Sequence, residues 1–295
     1  MKPIGFPLQA TRIPTIRIIE WITRARQQLA GISDTPGLDS ELLVAKVKNR
    51  DRTWVLTHPE HWIEPGEEKS LQKMLNRRLS GEPLPYILGE WEFYGRKFTL
   101  NSSVLIPRPE TEILVEAALA WLHDHPDSRQ VLDVGTGSGV IAITLASEIT
   151  DLEMTATDIS PHALEIAEAN ASKYHLSTRI RFIKSDLLTD VPGRFHLVCA
   201  NLPYIPSAQL LKNPLLSFEP LSALDGGVDG MGLITQLLKE LPGKLIHPSL
   251  AFLEIQYDQG EPLLAFARDQ FPSAKIQVLP DLSGQPRTLR IEWDQ

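Results

Sequence analysis

The sequence contains a single cysteine, Cys199, among 295 residues. One cysteine cannot form a disulfide within the chain, and the apolar residues beside Cys199 are typical of a packed thiol rather than a nucleophile. The eight histidines form no cluster with ligand spacing around it. We therefore expect neither a disulfide framework nor a structural metal site.

Long hydrophobic runs are also missing, since no stretch approaches the ~18 apolar residues of a membrane span. The N-terminal residues lack the apolar core of a secretory signal peptide. Basic residues are not in excess either, because 29 Lys and Arg stand against 37 Asp and Glu, for a net charge of −8. Such a charge argues against a broad basic surface for nucleic acid. We expect a cytoplasmic monomer without a membrane or direct nucleic-acid partner.

The chain is too long for one small core, and its 42% hydrophobic and 22% charged residues are those of an ordinary folded protein. Residues 1–80 have helical periodicity, which predicts a small all-helical domain for packing or substrate recognition. Within it, Ile16, Ile19, Ile22 and Leu29 are compatible with one helix face. Asp39 or Ser40 is a candidate cap for a second helix.

Glycine and proline interrupt the helical pattern at residues 81–85, and residues 91–100 alternate as a hairpin does. We interpret residues 81–104 as a β-hairpin linker and residues 105–295 as a second domain. In that domain strand and helix patterns alternate, which predicts an α/β fold with a parallel sheet covered on both faces. Seven strands are expected, at residues 131–134, 153–157, 180–183, 195–199, 251–255, 275–279 and 288–293.

A glycine-rich turn follows the first of these strands and precedes an apolar helix. Its residues are Gly135, Thr136, Gly137, Ser138 and Gly139. Glycines allow a sharp turn and a close approach of ligand to backbone. The spacing here is G-x-G-x-G followed by Val140, whereas the dinucleotide fingerprint is G-x-G-x-x-G. NAD and FAD are therefore disfavoured. No phosphate-binding lysine follows, so a nucleoside triphosphate is disfavoured as well.

Acidic residues end the next two strands. Asp158, 19 residues after Gly139, is placed to accept both hydroxyls of a ribose. Asp186 is placed to accept from an adenine amino group, and Leu187 to pack on the ring. Each acid alone is typical of a solvated strand end, but together they indicate an adenosine-containing cofactor. S-adenosylmethionine fits this pattern best.

The fourth strand leads into Asn201, Leu202, Pro203 and Tyr204. Asn201 is also predicted to be one of the cofactor-binding residues. Its side chain offers a carbonyl acceptor, and Pro203 restricts Leu202 to extended backbone, which helps to fix the direction of the Leu202 carbonyl. Two acceptors beside the flat face of Tyr204 are suited to a planar NH2 group. We predict that these residues are catalytic.

With these motifs in view, the chain resembles the class I S-adenosylmethionine methyltransferases, and within them the release-factor glutamine N5-methyltransferases. The resemblance extends over nearly the whole length. It is carried by residues 38–43 (LDSELL), 81–84 (GEPL), 86–89 (YILG), 106–112 (IPRPETE), 219–220 (EP), 223–227 (ALDGG), 229–230 (DG), 257–260 (YDQG) and 281–284 (DLSG).

The resemblance implies a Rossmann-like, seven-stranded methyltransferase domain and a partner, the Gly-Gly-Gln loop of peptide chain release factors. The family motif is Asn-Pro-Pro-Tyr, and Leu202 replaces its first proline here. In the family the acceptors for the target amide are the Asn side-chain oxygen and the carbonyl of that proline, which corresponds to the Leu202 carbonyl.

Three alternatives stay open on the sequence. An adenine N6-methyltransferase of nucleic acid would use the same acceptors on a flipped base. A glutamine methyltransferase of a ribosomal protein would share every motif. A non-catalytic S-adenosylmethionine-binding module would share the cofactor residues only. Arg108, flanked by two prolines, either presents its guanidinium inward or simply begins a helix.

Overall fold

A computed structural model describes residues 16–212 and 214–294. The predicted helix start near Pro14 and the N-terminal residues tested for a signal peptide lie outside this part. The chain divides into two compact units, Met1–Leu88 and Gly89–Gln295. Residues 81–88 therefore group with the helical unit and the hairpin with the second unit.

From residue 16 onward the first unit is helical apart from a two-residue antiparallel strand pair, β1 (Ile16–Arg17) with β2 (Trp62–Ile63). The five described helices are α1 (Ile18–Leu29), α2 (Pro36–Lys48), α3 (Arg52–Thr57), α4 (Pro65–Leu79) and α5 (Leu84–Leu88). The prediction of an all-helical domain is thus correct except for this pair.

The buried face of α1 differs from the predicted one. Ile18, Trp21, Ala25 and Leu29 are buried, whereas Ile19 is 48% exposed. Ile16 belongs to β1 and is not part of the helix, and the spacing of the four buried residues, three or four positions apart, places them on one helix face.

The predicted cap of α2 is also wrong. The N-cap residue is Thr35, and Asp39 lies inside the helix, buried. Its carboxylate accepts hydrogen bonds from Arg78 Nε at 2.7 Å and from Thr35 Oγ1 at 3.1 Å. Asp39 therefore connects α2 to α4 through an ion pair, because a buried carboxylate requires such partners.

The second unit opens with the predicted hairpin, β3 (Glu90–Phe93) and β4 (Arg96–Thr99), and then α6 (Glu110–Asp124). All seven predicted sheet strands are present. They are β5 (Gln130–Val134), β6 (Glu153–Asp158), β7 (Ile180–Lys184), β8 (Phe195–Ala200), β9 (Leu245–Glu254), β10 (Lys275–Pro280) and β11 (Pro286–Trp293). The remaining α-helices described are α7 (Val140–Glu148), α8 (Pro161–Lys173), α9 (Ser207–Leu210), α10 (Gly232–Glu240) and α11 (Gly260–Gln270).

The strand order is β10-β11-β9-β8-β5-β6-β7. The sheet is parallel except for β11, which runs antiparallel to both of its neighbours. Only residues 281–285 connect β10 to β11, and a parallel crossover needs about a dozen residues or more. The prediction of a fully parallel sheet is therefore wrong at this strand.

The order of the strands also determines where a ligand can bind. The chain passes from β5 outward to β6 and β7, then returns to place β8 on the other side of β5. Val134 and Ala200, the last residues of β5 and β8, pair in register. Their carboxyl ends form a topological switch point, which is the usual position of ligand crevices in open α/β sheets.

Candidate active site

A cavity of about 300 Å³ lies at this switch point. It is lined at the carboxyl ends of β5, β6, β7 and β8, with further residues from loops around Arg108 and Asp225. Of the predicted site residues, those lining it are Gly135, Thr136, Gly137, Ser138, Asp158, Asp186, Leu187, Asn201, Leu202 and Pro203. Gly139 and Tyr204 are not among the lining residues.

Asp133, near the end of β5, stabilises the glycine-rich turn through its carboxylate. This carboxylate is fully buried and accepts hydrogen bonds from Thr136 Oγ1 at 2.7 Å and from the Ala142 N–H at 3.2 Å. Its second oxygen, Oδ1, has no hydrogen-bond partner in the described structure. Burial raises the pKa of Asp133 to about 7.

Asp158 links the turn to the end of β6. Its Oδ2 accepts from the Gly137 N–H and its Oδ1 from the Ser160 N–H, each at 2.9 Å. Burial raises the pKa of Asp158, although these backbone donors act in the opposite direction. Each carboxylate oxygen retains a lone pair, so the group can hold the turn and still accept from a ligand.

Asp186 and Leu187 follow β7 and differ in exposure. Asp186 is exposed, and no donor in the described part of the chain bonds to its side chain. Leu187 is buried and has a positive φ of 46°, which is uncommon for a residue other than glycine. This local backbone turns the apolar side chain inward and leaves the acid at the edge of the cavity.

Asn201 has one fixed orientation. Its Nδ2 donates to Thr111 Oγ1 at 3.1 Å and to Glu254 Oε2 at 3.0 Å. Its Oδ1 accepts from no described residue, and the same is true of the Leu202 carbonyl. Two neighbouring acceptors at the cavity are therefore not occupied by donors of the protein.

The loop after Asn201 is held by hydrogen bonds with residues that are distant in sequence. Ile205 donates its N–H to the Leu224 carbonyl at 3.0 Å, and Gly226 donates to the Ile205 carbonyl at 2.9 Å. Gln259 Nε2 donates to the Tyr204 carbonyl at 2.9 Å. The Tyr204 hydroxyl donates to Glu254 Oε1 at 3.1 Å instead of facing the cavity.

Arg108 lines the cavity, and its guanidinium also donates to the carboxylate of Glu219. The other Glu219 oxygen accepts from the Ile106 N–H at 3.0 Å. Arg108 therefore agrees with both predictions: it lines the cavity, and it lies two residues before the start of α6 at Glu110. Glu219, which is buried, joins two loops that are 111 residues apart.

Three residues of this site were not predicted: Thr111, Glu219 and Glu254. Thr111 lies within the IPRPETE segment, and a threonine at a helix start is usually interpreted as a cap. Glu254 ends β9 directly after an apolar strand, as Asp158 ends β6. An acid at the end of an apolar strand is therefore the sequence signal that could identify Glu254.

The described residues contain no group of three or more His, Cys, Asp or Glu that could hold a metal ion. Within the same ranges, no helix has the length and hydropathy needed to cross a bilayer. Cys199 is fully buried in β8. Burial raises the pKa of its thiol well above the usual value, as expected for a packed side chain.

Known protein families and individual proteins match most of this chain. The PrmC N-terminal domain matches residues 20–89, and the methyltransferase small domain matches residues 110–213. The chain is 40% identical over 264 residues to the release factor glutamine methyltransferase of Koribacter versatilis, covering 88% of this chain and 92% of that one. It is 39% identical over 256 residues to the enzyme of the same name from Bordetella pertussis, covering 85% and 93%.

Among solved structures, the hMettl16 catalytic domain in complex with MAT2A 3′UTR hairpin 6 superposes with a TM-score of 0.54, covering 80% of this chain and 84% of that one. Its 16% sequence identity shows the fold alone. The predicted Rossmann-like fold of class I methyltransferases is confirmed by the seven-stranded sheet and the matching domain. The chain belongs to the release factor glutamine methyltransferase family.

Proposed function

We propose that this protein transfers a methyl group from S-adenosylmethionine to the side-chain amide nitrogen of the glutamine in the Gly-Gly-Gln motif of peptide chain release factors. Family membership supports the reaction, because the relatives carry that name. The observation that carries the assignment is that Asn201 Oδ1 and the Leu202 carbonyl, two acceptors at the cavity, receive no hydrogen bond from any described residue.

The cavity residues fit S-adenosylmethionine. The volume of about 300 Å³ is at the lower end of the range for small-molecule pockets, about 300–1,000 Å³. A Cβ built on Gly137 would have no atom within 4 Å, so a ligand can approach this backbone. Asp158 would accept the ribose hydroxyls, Asp186 the adenine amino group, and Leu187 would pack on the ring. When bound, the cofactor supplies a methyl group activated by a sulfonium charge.

An amide nitrogen is a weak nucleophile, because its lone pair is delocalised into the carbonyl. Asn201 Oδ1 and the Leu202 carbonyl would each accept one N–H of the target amide and hold the nitrogen in line for transfer. Both acceptors also favour the positive charge that develops on nitrogen. The proton leaves that nitrogen after transfer, so no strong base is needed.

We also infer that the helical unit contributes to recognition of the release factor. Four of its large apolar side chains are between 44% and 50% exposed: Ile19 at 48%, Ile32 at 44%, Leu56 at 50% and Trp62 at 48%. Exposed apolar side chains of this size are common in contacts between proteins. The methyltransferase unit would then supply the cofactor site and the amide clamp.

The experiment incubates the protein with labelled S-adenosylmethionine and a purified release factor, followed by mapping of the modified peptide. Label should be found on the glutamine of the Gly-Gly-Gln motif. Asn201→Ala should lower the transfer rate by about 10²–10³, by analogy with loss of one oxyanion donor. Cofactor affinity should change little, because Asn201 contacts the target amide.

Two substrate controls define the target atom. Replacing the target glutamine by glutamate should end transfer, since a carboxylate offers neither an N–H to the two acceptors nor a nitrogen to methylate. Ribosomal proteins and duplex DNA serve as competing substrates. Labelling of the glutamate variant, or full activity in Asn201→Ala, would contradict the amide clamp. Preferential labelling of a ribosomal protein or of adenine would replace the proposed substrate.

A further inference from the structure

Glu254 is a buried carboxylate directly beside Asn201. It is the last residue of β9, and the neighbouring parallel strand β8 ends one residue before Asn201. The register pairs Ala200 with Leu253, which places Glu254 and Asn201 level with each other. Glu254 is only 1% exposed. A carboxylate removed from water this completely requires several hydrogen-bond donors.

Three side chains supply these donors. Thr111 Oγ1 donates to Glu254 Oε2 at 2.7 Å, and the Tyr204 hydroxyl donates to Oε1 at 3.1 Å. Asn201 Nδ2 donates to Oε2 at 3.0 Å. Thr111 uses its hydrogen on Glu254, so its oxygen is free to accept the second N–H of Asn201, at 3.1 Å. Every polar hydrogen in this cluster has an acceptor.

The cluster determines which way the Asn201 amide faces. A primary amide has two hydrogens, and both are directed at Glu254 and Thr111. Rotating the amide by half a turn would bring Asn201 Oδ1 against the carboxylate and break both bonds. The oxygen therefore stays on the side away from Glu254, where no described residue donates to it.

We propose that Glu254, with Thr111, is a positioning residue that fixes Asn201 with Oδ1 toward the target amide and strengthens Oδ1 as an acceptor through the carboxylate charge. This inference rests on the proposed function, because it assigns a role to Glu254 in the same methyl transfer. Hydrogen bonds to an ionised acceptor are about twice as strong as neutral ones, so the NH2 group is polarised toward Glu254 and its carbonyl oxygen becomes more negative.

The test measures kcat and KM for a release factor in two variants of Glu254. Glu254→Gln keeps an acceptor oxygen but removes the charge, and kcat should fall about 10-fold. Glu254→Met removes both acceptors, and kcat should fall about 100-fold, as for loss of partners that orient a reactive group. The dissociation constant of S-adenosylmethionine should change less than about twofold, because Glu254 acts through Asn201. Unchanged kcat in Glu254→Met overturns the proposal.

A double-mutant cycle separates positioning from support of the fold. If Glu254 acts through Asn201, Glu254→Met should lower kcat less than about twofold further in an Asn201→Ala background, because residues acting as a unit are not additive. Losses that multiply in the double variant overturn the proposal. The wild-type reaction with the release factor tests the proposed function itself. A failed cycle with an active wild type therefore contradicts only the role of Glu254.

Thr111 provides a matched pair in case Glu254→Met does not fold. Thr111→Ser keeps the hydroxyl and should keep kcat within about twofold, whereas Thr111→Val keeps the shape and should lower kcat about 5-fold. Equal rates in the two variants overturn the proposal. A readout without substrate is hydrogen exchange of the Asn201 side-chain amide, assigned by its absence in Asn201→Ala. Exchange should be at least about 10-fold faster in Thr111→Val than in the wild type.

Discussion

The Leu202 side chain packs against the backbone of Gly135. A Cβ built on Gly135 would lie 2.9 Å from Leu202 Cδ2, closer than real side chains approach. Gly135 follows β5 and Leu202 follows Asn201 at the end of β8, and these two strands are neighbours. The glycine-rich turn and the proposed amide clamp are therefore in direct contact, and a change in one should affect the other.

Gly135→Ala should destabilise the protein more than Gly137→Ala. Both glycines have positive φ, +73° and +57°, but a Cβ on Gly137 would have no atom within 4 Å. We expect about 1 kcal/mol for the backbone strain at Gly137 and about 2–4 kcal/mol at Gly135, where the contact with Leu202 is added. Urea titration of both variants measures the difference. Equal losses would show that the contact with Leu202 carries no cost.

Restoring the family residue by Leu202→Pro should keep or modestly raise the transfer rate, since proline stiffens the carbonyl that we propose accepts the target amide. The same substitution should also lower the stability of the fold. Leu202 is 5% exposed and packs in the apolar core of the sheet, and the smaller proline ring would leave part of this space empty. We expect a loss of about 1–2 kcal/mol in the free energy of unfolding. A large fall in kcat would instead show that the leucine itself positions the carbonyl.

Asp158→Ala should weaken S-adenosylmethionine binding by roughly 1.5–3 kcal/mol, the value of hydrogen bonds to a charged acceptor. The variant also releases the Gly137 and Ser160 N–H groups that the carboxylate accepts. Calorimetry measures the dissociation constant. Asp151→Ala is the matched control, because Asp151 is exposed at the other end of β6 and pairs with Arg129. An equal effect of the two variants would defeat the assignment of Asp158.

Stability should decrease between pH 4 and pH 7 because of Asp133. Burial raises its pKa from the ordinary 3.8 to about 7, so the folded protein keeps a proton that the unfolded chain loses. The free energy of unfolding therefore falls as the pH rises through this window and becomes constant above it. A tenfold change in an ionisation constant is about 1.4 kcal/mol, which makes the contribution of Asp133 about 4 kcal/mol.

The measurement compares urea unfolding of the wild type and Asp133→Asn at several pH values. Asparagine keeps an oxygen to accept from Thr136 and the Ala142 N–H and cannot ionise. The difference between the two proteins should change with pH in the direction given above. A difference that is constant from pH 4 to pH 8 would show that Asp133 does not titrate in this range.

Ile19→Ser and Leu56→Ser should raise KM for an intact release factor about 10-fold without changing kcat, if the helical unit binds that partner. Affinity for S-adenosylmethionine should stay constant in both variants. Gln27→Ser is the control, since Gln27 is an exposed polar residue on the same helix as Ile19. A KM equal to that of the wild type in both apolar variants would place the recognition surface elsewhere.

Local pattern in the sequence was sufficient for most of the fold. The alternation of strand and helix patterns identified all seven strands, and the glycines at 135, 137 and 139 identified the turn, because these signals depend on residues close together in the sequence. The same reasoning failed at α1 and α2. There, tertiary contacts set the buried face and brought Asp39 to Arg78, against a local preference for capping.

What only the tertiary structure decided is the surroundings of Asn201. Thr111 and Glu254 are 143 residues apart in sequence, and Asn201 lies 53 residues before Glu254. They meet because β8 lies between β5 and β9 in the sheet and α6 begins at the same edge. Periodicity along the chain encodes which face of an element is apolar, but the order of strands depends on packing of the whole sheet. The sequence alone therefore indicated Asn201 as the candidate acceptor, and the fold determined the orientation of its side chain.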